Sequence, residues 1–325
     1  MGKFFKNNDK NQTQKKGKLI FILLPLIAIL IAANGWLSYF YVKNRGADAA
    51  ISENNKYNLL NPARKLIDQK DLIINFQPLR DYLNNTYEAD QNVSIYFEYL
   101  PTGSNISINK DAEFYPASLL KVPITMTVAK KIERGEWKWT NELALLPSDK
   151  NKGFGSLYKE PSNSTYTIDE LVRRSLSDSD NTANFILVRN LEISEIEDVN
   201  SHIGFSGIIT ASGNLSAKRY SVIFRSLYNA SYLSEENSQK LLSYLSQSPF
   251  KEYIESGLPS GTPFAHKIGT EEEKGIYLDS GIVYAPNKPY TLTIMIQSEK
   301  EQLAQEKMKD ISEKVYNYVK EYKND

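Results

Sequence analysis

Apolar and polar positions follow three rhythms along this chain. The first is an almost unbroken apolar run, Leu19 to Val42, interrupted only by Pro25, Asn34, Gly35 and Ser38. At 24 residues it is long enough to cross a hydrocarbon layer of about 30 Å. Trp36, Tyr39, Phe40 and Tyr41 gather at its far end, where aromatic side chains suit the membrane–water interface. The second rhythm has the helical period. Leu72, Phe76, Leu79 and Leu83 predict a helix over Leu72–Tyr87, and Val122, Ile124, Met126, Val128, Ala129 and Ile132 predict a buried one. Further helices are predicted over Thr167–Ser175, Asn181–Arg189, Leu215–Tyr228 and Glu235–Tyr244, and Met308, Ile311, Val315, Tyr318 and Tyr322 mark a last one. The third rhythm has the period of a strand. Val93–Leu100 and Asn105–Asn109 flank the turn residues Pro101-Thr102-Gly103-Ser104 and predict a hairpin; Phe264–Ile268, Gly275–Tyr284 and Tyr290–Gln297 predict three late strands.

Strands near both ends with helices between them predict one α+β domain over residues 71–325, its antiparallel sheet built from both chain ends. The polar, asparagine-rich stretch 43–70 reads as a stem.

Charge adds an orientation. The 39 basic and 39 acidic residues cancel, which argues against a nucleic-acid partner. Six lysines (3, 6, 10, 15, 16 and 18) nevertheless crowd the first eighteen residues, and basic flanks stay on the cytoplasmic side. The expectation is a cytoplasmic tail 1–18, a single-pass signal anchor 19–42 and an extracytoplasmic domain. A cleaved signal peptide is the competing reading, but its small-residue site, Ala47-Asp48-Ala49, lies far downstream of the apolar run. With no cysteine and only His202 and His266, thiolate chemistry and a zinc site find no ligand set, so no metal or organic cofactor is expected. His266 reads as a core or edge histidine pointing away from the face that Lys267 uses.

The candidate chemistry centres on Ser118-Leu119-Leu120-Lys121, where a loop becomes the buried helix. Residues i and i+3 share a helix face, so an amine lies beside a hydroxyl, close to the unpaired N–H groups of a helix start. The same spacing recurs at Ser107–Lys110, Ser156–Lys159 and Ser248–Lys251, so spacing alone selects nothing. Context separates Ser118. Ser179-Asp180-Asn181 also fits an ordinary helix cap, and Lys267-Ile268-Gly269-Thr270 a solvent-facing strand.

Taken in order, the three motifs resemble the penicillin-recognising serine enzymes, most closely the class A β-lactamase family, over about Leu72 to Tyr322. The resemblance implies a β-lactamase/transpeptidase-like fold and an acyl-enzyme on Ser118, with Lys121 as base and Ser179 relaying a proton to the leaving nitrogen. It assigns Asn181 to the substrate's side-chain amide, Lys267 to its carboxylate, and the backbone N–H groups of Ser118 and Thr270, beyond Gly269, to the oxyanion. The implied substrates are β-lactams or D-alanyl peptide ends of peptidoglycan. Two departures stand out. Ile268 replaces a hydroxyl residue usual in the family, and Asn200 to Ser234 contains no Asp or Glu where class A enzymes carry the deacylating glutamate. Three readings follow: a β-lactam hydrolase with another water-activating group, for instance Glu192 or Glu195; a penicillin-binding DD-peptidase-like enzyme with slow deacylation; or a non-catalytic sensor of β-lactam or peptidoglycan.

Overall fold

The computed structural model describes residues 32–36, 39, 57–61, 71–204 and 213–322. Contacts divide the chain into two units, Met1–Lys56 and Tyr57–Asp325. In the first, residues 32–36 are helical. The expected basic tail and most of the expected span and stem lie outside the described residues. Among the described residues no helix is long and apolar enough to cross a membrane.

The second unit begins earlier than the expected 71, because 57–61 pack onto it. Leu60 is buried, the Asn61 N–H donates to the Tyr228 carbonyl at 2.7 Å, and the Tyr284 hydroxyl donates to the Leu59 carbonyl at 2.9 Å. That part of the expected stem belongs to the folded domain.

Helix α1, Gln77–Tyr87, starts later than the period predicts. Pro78 is tolerated only in a first turn, and Ile73 and Phe76 are already buried before the helix begins. The hairpin strands are β1, Val93–Tyr99, and β2, Ser104–Ile108. A short 3-10 turn, Ala117–Leu120, leads into α2, Lys121–Glu133. Every residue from Lys121 to Ala129 is buried, as befits a helix apolar almost all round. Its interior hydroxyls are satisfied within the helix: Thr125 donates to the Val122 carbonyl and Thr127 to that of Pro123.

Two short strands, β3 (Glu142–Ala144) and β4 (Thr165–Thr167), form a separate ladder. Helices α3 (Ile168–Leu176), α4 (Asn181–Arg189), α5 (Ile193–His202), α6 (Ala217–Tyr228) and α7 (Glu235–Leu245) follow. Strands β5 (Phe264–Glu271), β6 (Ile276–Val283) and β7 (Tyr290–Gln297) and helix α8 (Glu301–Glu321) complete the domain. The five-stranded sheet runs β2-β1-β7-β6-β5, antiparallel throughout, so the early hairpin is zipped onto the last strand as expected.

Both sheet faces are covered, which is why its inner strands are buried along nearly their whole length. On one face Tyr290, Leu292, Ile294 and Ile296 pack with Leu79 and Leu83 of α1 and Met308, Ile311 and Val315 of α8. On the other, Met295 and Leu278 meet the helical layer through Tyr220 and Phe224. The alternation along β5 follows: Ala265 faces the helical layer, while Phe264 and Ile268 face α8.

Candidate active site

Three segments converge on one point between the helical layer and the edge strand β5. Lys121, the first residue of α2, is only 4% exposed, and its Nζ lies 3.0 Å from Ser118 Oγ. The same nitrogen is 2.5 Å from the Ser179 carbonyl oxygen, 3.1 Å from Ser179 Oγ and 2.7 Å from Asn181 Oδ1. From β5, Lys267, 1% exposed, donates to Ser179 Oγ at 2.8 Å and to the Ile268 carbonyl at 3.3 Å. The structure therefore joins five of the seven sequence-predicted residues, Ser118, Lys121, Ser179, Asn181 and Lys267, in one hydrogen-bonded cluster. Gly269 and Thr270 lie just beyond Ile268 on β5, Gly269 against the serine turn.

Local folding explains the placement. Gly269 lets β5 approach the serine turn, since a Cβ there would lie 2.9 Å from the Pro116 carbonyl oxygen and 3.1 Å from Leu119. The buried Tyr220 hydroxyl holds the turn from the other side, donating to the Leu119 carbonyl at 2.8 Å. Ala117 (φ 46°) and Ser179 (φ 54°) adopt left-handed backbone, costly for residues with a Cβ. Such outliers persist where surrounding packing over-determines them. Asp180 anchors the second motif. Its buried carboxylate accepts from the N–H groups of Ser156 (2.8 Å), Leu157 (2.9 Å) and Ala183 (3.0 Å), so it caps α4 and pins the loop before it.

The electrostatics follow from burial. Desolvation brings the Lys121 ammonium down to about 7, with the nearby Asp180 carboxylate pulling the other way. Lys267 is depressed well below the ordinary lysine range, first by burial and then by the charge of Lys121, against the opposing pull of Asp279. A neutral amine has two N–H donors and one lone pair. At Lys121 the Ser179 and Asn181 oxygens take the two donors, which leaves the lone pair for the hydroxyl of Ser118. That is a nucleophile with its base in place. Because the base must be unprotonated, the rate of Ser118 acylation is expected to climb with pH with a midpoint near 7. A rate–pH profile of labelling by a serine-directed fluorophosphonate checks this, and a profile flat from pH 5.5 to 8.5 would remove Lys121 as the base.

Other expected residues lie elsewhere. Glu195 pairs with Lys131 and accepts the Glu192 N–H, and Glu192 is an exposed helix-start residue, so neither carboxylate is aimed at Ser118. Among the described residues no acidic side chain is hydrogen-bonded to Ser118 or Lys121; of the segment Asn200 to Ser234, residues 205–212 lie outside them. Ile268 is buried beneath the sheet. His266 is buried as expected of a core histidine, its Nδ1 2.8 Å from Asp279, whose other oxygen accepts the Ile254 N–H. His202 is a surface residue of α5.

The motifs alone missed the aromatic side chains beside Lys267 and the serine turn. Phe250 lies over Lys267, its ring centre 6.0 Å from Nζ, and meets the ring of Phe154 edge-on at 6.1 Å. Phe154 belongs to the polar segment before α3; its carbonyl accepts the Asn181 N–H at 3.0 Å. Tyr115, beside the serine turn, has Lys274 over its ring at 4.0 Å. The glycines at 153 and 155 were the one sequence signal of a tightly folded loop there.

A family model described as "Beta-lactamase enzyme family" matches residues 78–319. The β-lactamase VEB-1 of Pseudomonas aeruginosa is 23% identical over 242 residues, which cover 66% of this chain and 80% of that protein. Among solved structures, PBP-A superposes with a TM-score of 0.69 at 21% identity, covering 75% of this chain and 97% of the other. A variant of PBP-A, solved as its acyl-enzyme complex with penicillin G, gives 0.68 at 21%, covering 76% and 97%. A β-lactamase from Sphaerobacter thermophilus gives 0.68 at 19%, covering 77% and 100%.

Proposed function

This chain belongs to the β-lactamase enzyme family and is a serine hydrolase of β-lactamase type, and we propose on that premise that it opens cyclic or D-alanyl-type amides through an acyl-enzyme on Ser118, at the outer face of a membrane. One observation carries the reading: a single lysine nitrogen with a depressed pKa touches Ser118, Ser179 and Asn181 at once.

In the proposed sequence the Ser118 hydroxyl attacks the amide carbonyl and its proton passes to Lys121. The oxyanion is met by the backbone N–H groups of Ser118 and Thr270. Ser179, held by Lys267, hands a proton to the leaving nitrogen while taking one from Lys121, so the C–N bond breaks and the lysine returns neutral. Lys267 and its surroundings receive the substrate carboxylate, and Asn181 its side-chain amide. Lys121, hydrogen-bonded to Ser118, also serves as base for the second half-reaction, in which water gives up a proton and Ser118 recovers one.

A penicillin-binding peptidase-like behaviour is the second reading, favoured by the lack of an acidic group at Ser118 or Lys121 among the described residues. A neutral lysine alone is a poorer activator of water on an ester than a carboxylate placed for it, so β-lactam adducts are expected to persist. The penicillin G acyl-enzyme of the PBP-A variant supports this chemistry on the same fold. The extracytoplasmic placement rests on the apolar run 19–42 behind six lysines.

The test is time-resolved intact-mass analysis of the protein with benzylpenicillin, the modified residue located by peptide mapping. An adduct on Ser118 lasting minutes or longer is the expected result. Fast turnover with only a transient adduct would instead establish an efficient β-lactamase, and absence of both adduct and turnover would sink the acyl-enzyme reading for β-lactams.

A further inference from the structure

We infer that Asn151 is a positioning residue for the reaction, fixing which end of the Asn181 amide faces Lys121. The inference rests on the acyl-enzyme reading above and adds to it a residue that no motif contains.

The argument runs along one chain of hydrogen bonds. The backbone N–H of Gly153 can only donate, and it donates to Asn151 Oδ1 at 2.9 Å. That identifies the inward atom of the Asn151 amide as its oxygen. The same oxygen is 2.9 Å from Asn181 Nδ2, which must therefore be the nitrogen end of the second amide. Asn181 Oδ1 is then turned to Lys121 Nζ at 2.7 Å, and the remaining N–H of Nδ2 is left for a carbonyl in the cleft. Reversing the Asn151 amide would set N–H against N–H at two contacts, and reversing that of Asn181 would set oxygen against oxygen at Asn151 and N–H against N–H at Lys121.

The backbone around Asn151 is held as firmly as its side chain. Its N–H donates to Thr182 Oγ1 at 3.0 Å, the Thr182 hydroxyl lies 3.2 Å from its carbonyl, and Asn181 N–H donates to the Phe154 carbonyl. The segment 151–154 is thus clasped onto the first residues of α4. Gly153 permits the closeness, because a Cβ there would lie 2.9 Å from Asn181 Nδ2 and 3.0 Å from Asn151 Oδ1.

The consequence is specific. Without the Asn151 acceptor, Asn181 is free to turn its nitrogen toward Lys121, which loses the acceptor for one N–H while the cleft loses the donor for the substrate amide. With Asn151→Ala, acylation by benzylpenicillin is expected to fall about tenfold, the worth of one oriented hydrogen bond. 6-Aminopenicillanic acid has no side-chain amide and is expected to lose less. Asn151→Asp keeps the acceptor but adds a negative charge near Lys121, so its rate is expected to recover at high pH with the acid limb moved above that of the wild type. Fluorophosphonate labelling of Ser118 serves as a reagent that needs neither a lactam nor an amide.

Equal loss for both penicillins in Asn151→Ala, or no loss at all, would overturn the inference while leaving the acyl-enzyme reading intact. Should Asn151→Ala fail to fold, a pH limb unchanged in Asn151→Asp would overturn it as well. A wild type labelled by fluorophosphonate but by neither penicillin removes the β-lactam reading alone, and the displaced limb of Asn151→Asp toward fluorophosphonate then supports the positioning role. A wild type inert to every reagent overturns both.

Discussion

Replacing Lys121 by methionine is expected to slow acylation of Ser118 by roughly 10²–10⁴-fold, the range a positioned general base supplies, and Ser118→Ala to abolish the adduct. Methionine keeps the length and apolar stem that fill the buried site, so the loss reports the amine rather than a cavity. The substitution has a second, opposite signature in stability. In the unfolded chain this lysine titrates at the ordinary 10.5, in the native state at about 7. Between those values the unfolded state binds more protons, so native stability rises with pH across that window. Below pH 7 both states carry the charge and the penalty of burying it is complete and constant. Lys121→Met carries no such penalty. The variant is therefore expected to melt higher than the wild type at pH 6, with the gap closing as pH approaches 10. Paired thermal melts at the two pH values check this. A gap independent of pH would mean that the native lysine titrates normally, and the account of the base would fall with it.

The second large effect lies in the loop that carries no motif. Gly155 has φ +86°, and a Cβ there would stand 2.1 Å from Asp180 Oδ2. Gly155→Ala is expected to cost roughly 3–5 kcal/mol, because the left-handed backbone is strained and the buried carboxylate must abandon N–H partners to make room. Gly103→Ala is the matched control. It has φ +73° with nothing within 4 Å of the new Cβ, so it carries the backbone strain alone. Denaturant unfolding of the two variants separates the terms. Equal destabilisation would show that Asp180 gives way without cost and does not anchor the motif. Acylation is expected to fall along with stability in Gly155→Ala, since Asp180 caps the helix that begins with Asn181.

Some elements were poorly legible in the sequence for local reasons. Helix α5, Ile193–His202, went unpredicted because only Ile196 and Val199 supply buried apolar side chains, and Ile193 is largely exposed. Helix α1 begins at Gln77 because proline chemistry overrides the apolar period upstream of it. Residues 57–61 read as stem because their bonds go to Tyr228, Gln239 and Tyr284, far away in the chain. Composition cannot reveal such partners.

What the sequence determined on its own is whatever short-range periodicity encodes: the five sheet strands, the buried helix behind Ser118, the closing helix, and three short motifs in family order. These depend on neighbours within a few positions, so the order of residues suffices. Tertiary structure built the site around the tetrad that context had singled out, by bringing Ser179 and Asn181 to Lys121 and Lys267 to Ser179 across separations of 58 to 88 residues. It also decided that Ile268 faces α8, that Glu192 and Glu195 serve elsewhere, and that Asn151 lies against the Asn181 amide. Each of these is a contact between segments remote in sequence, and a hydrogen bond exists only when folding sets both partners within about 3 Å at the right angle.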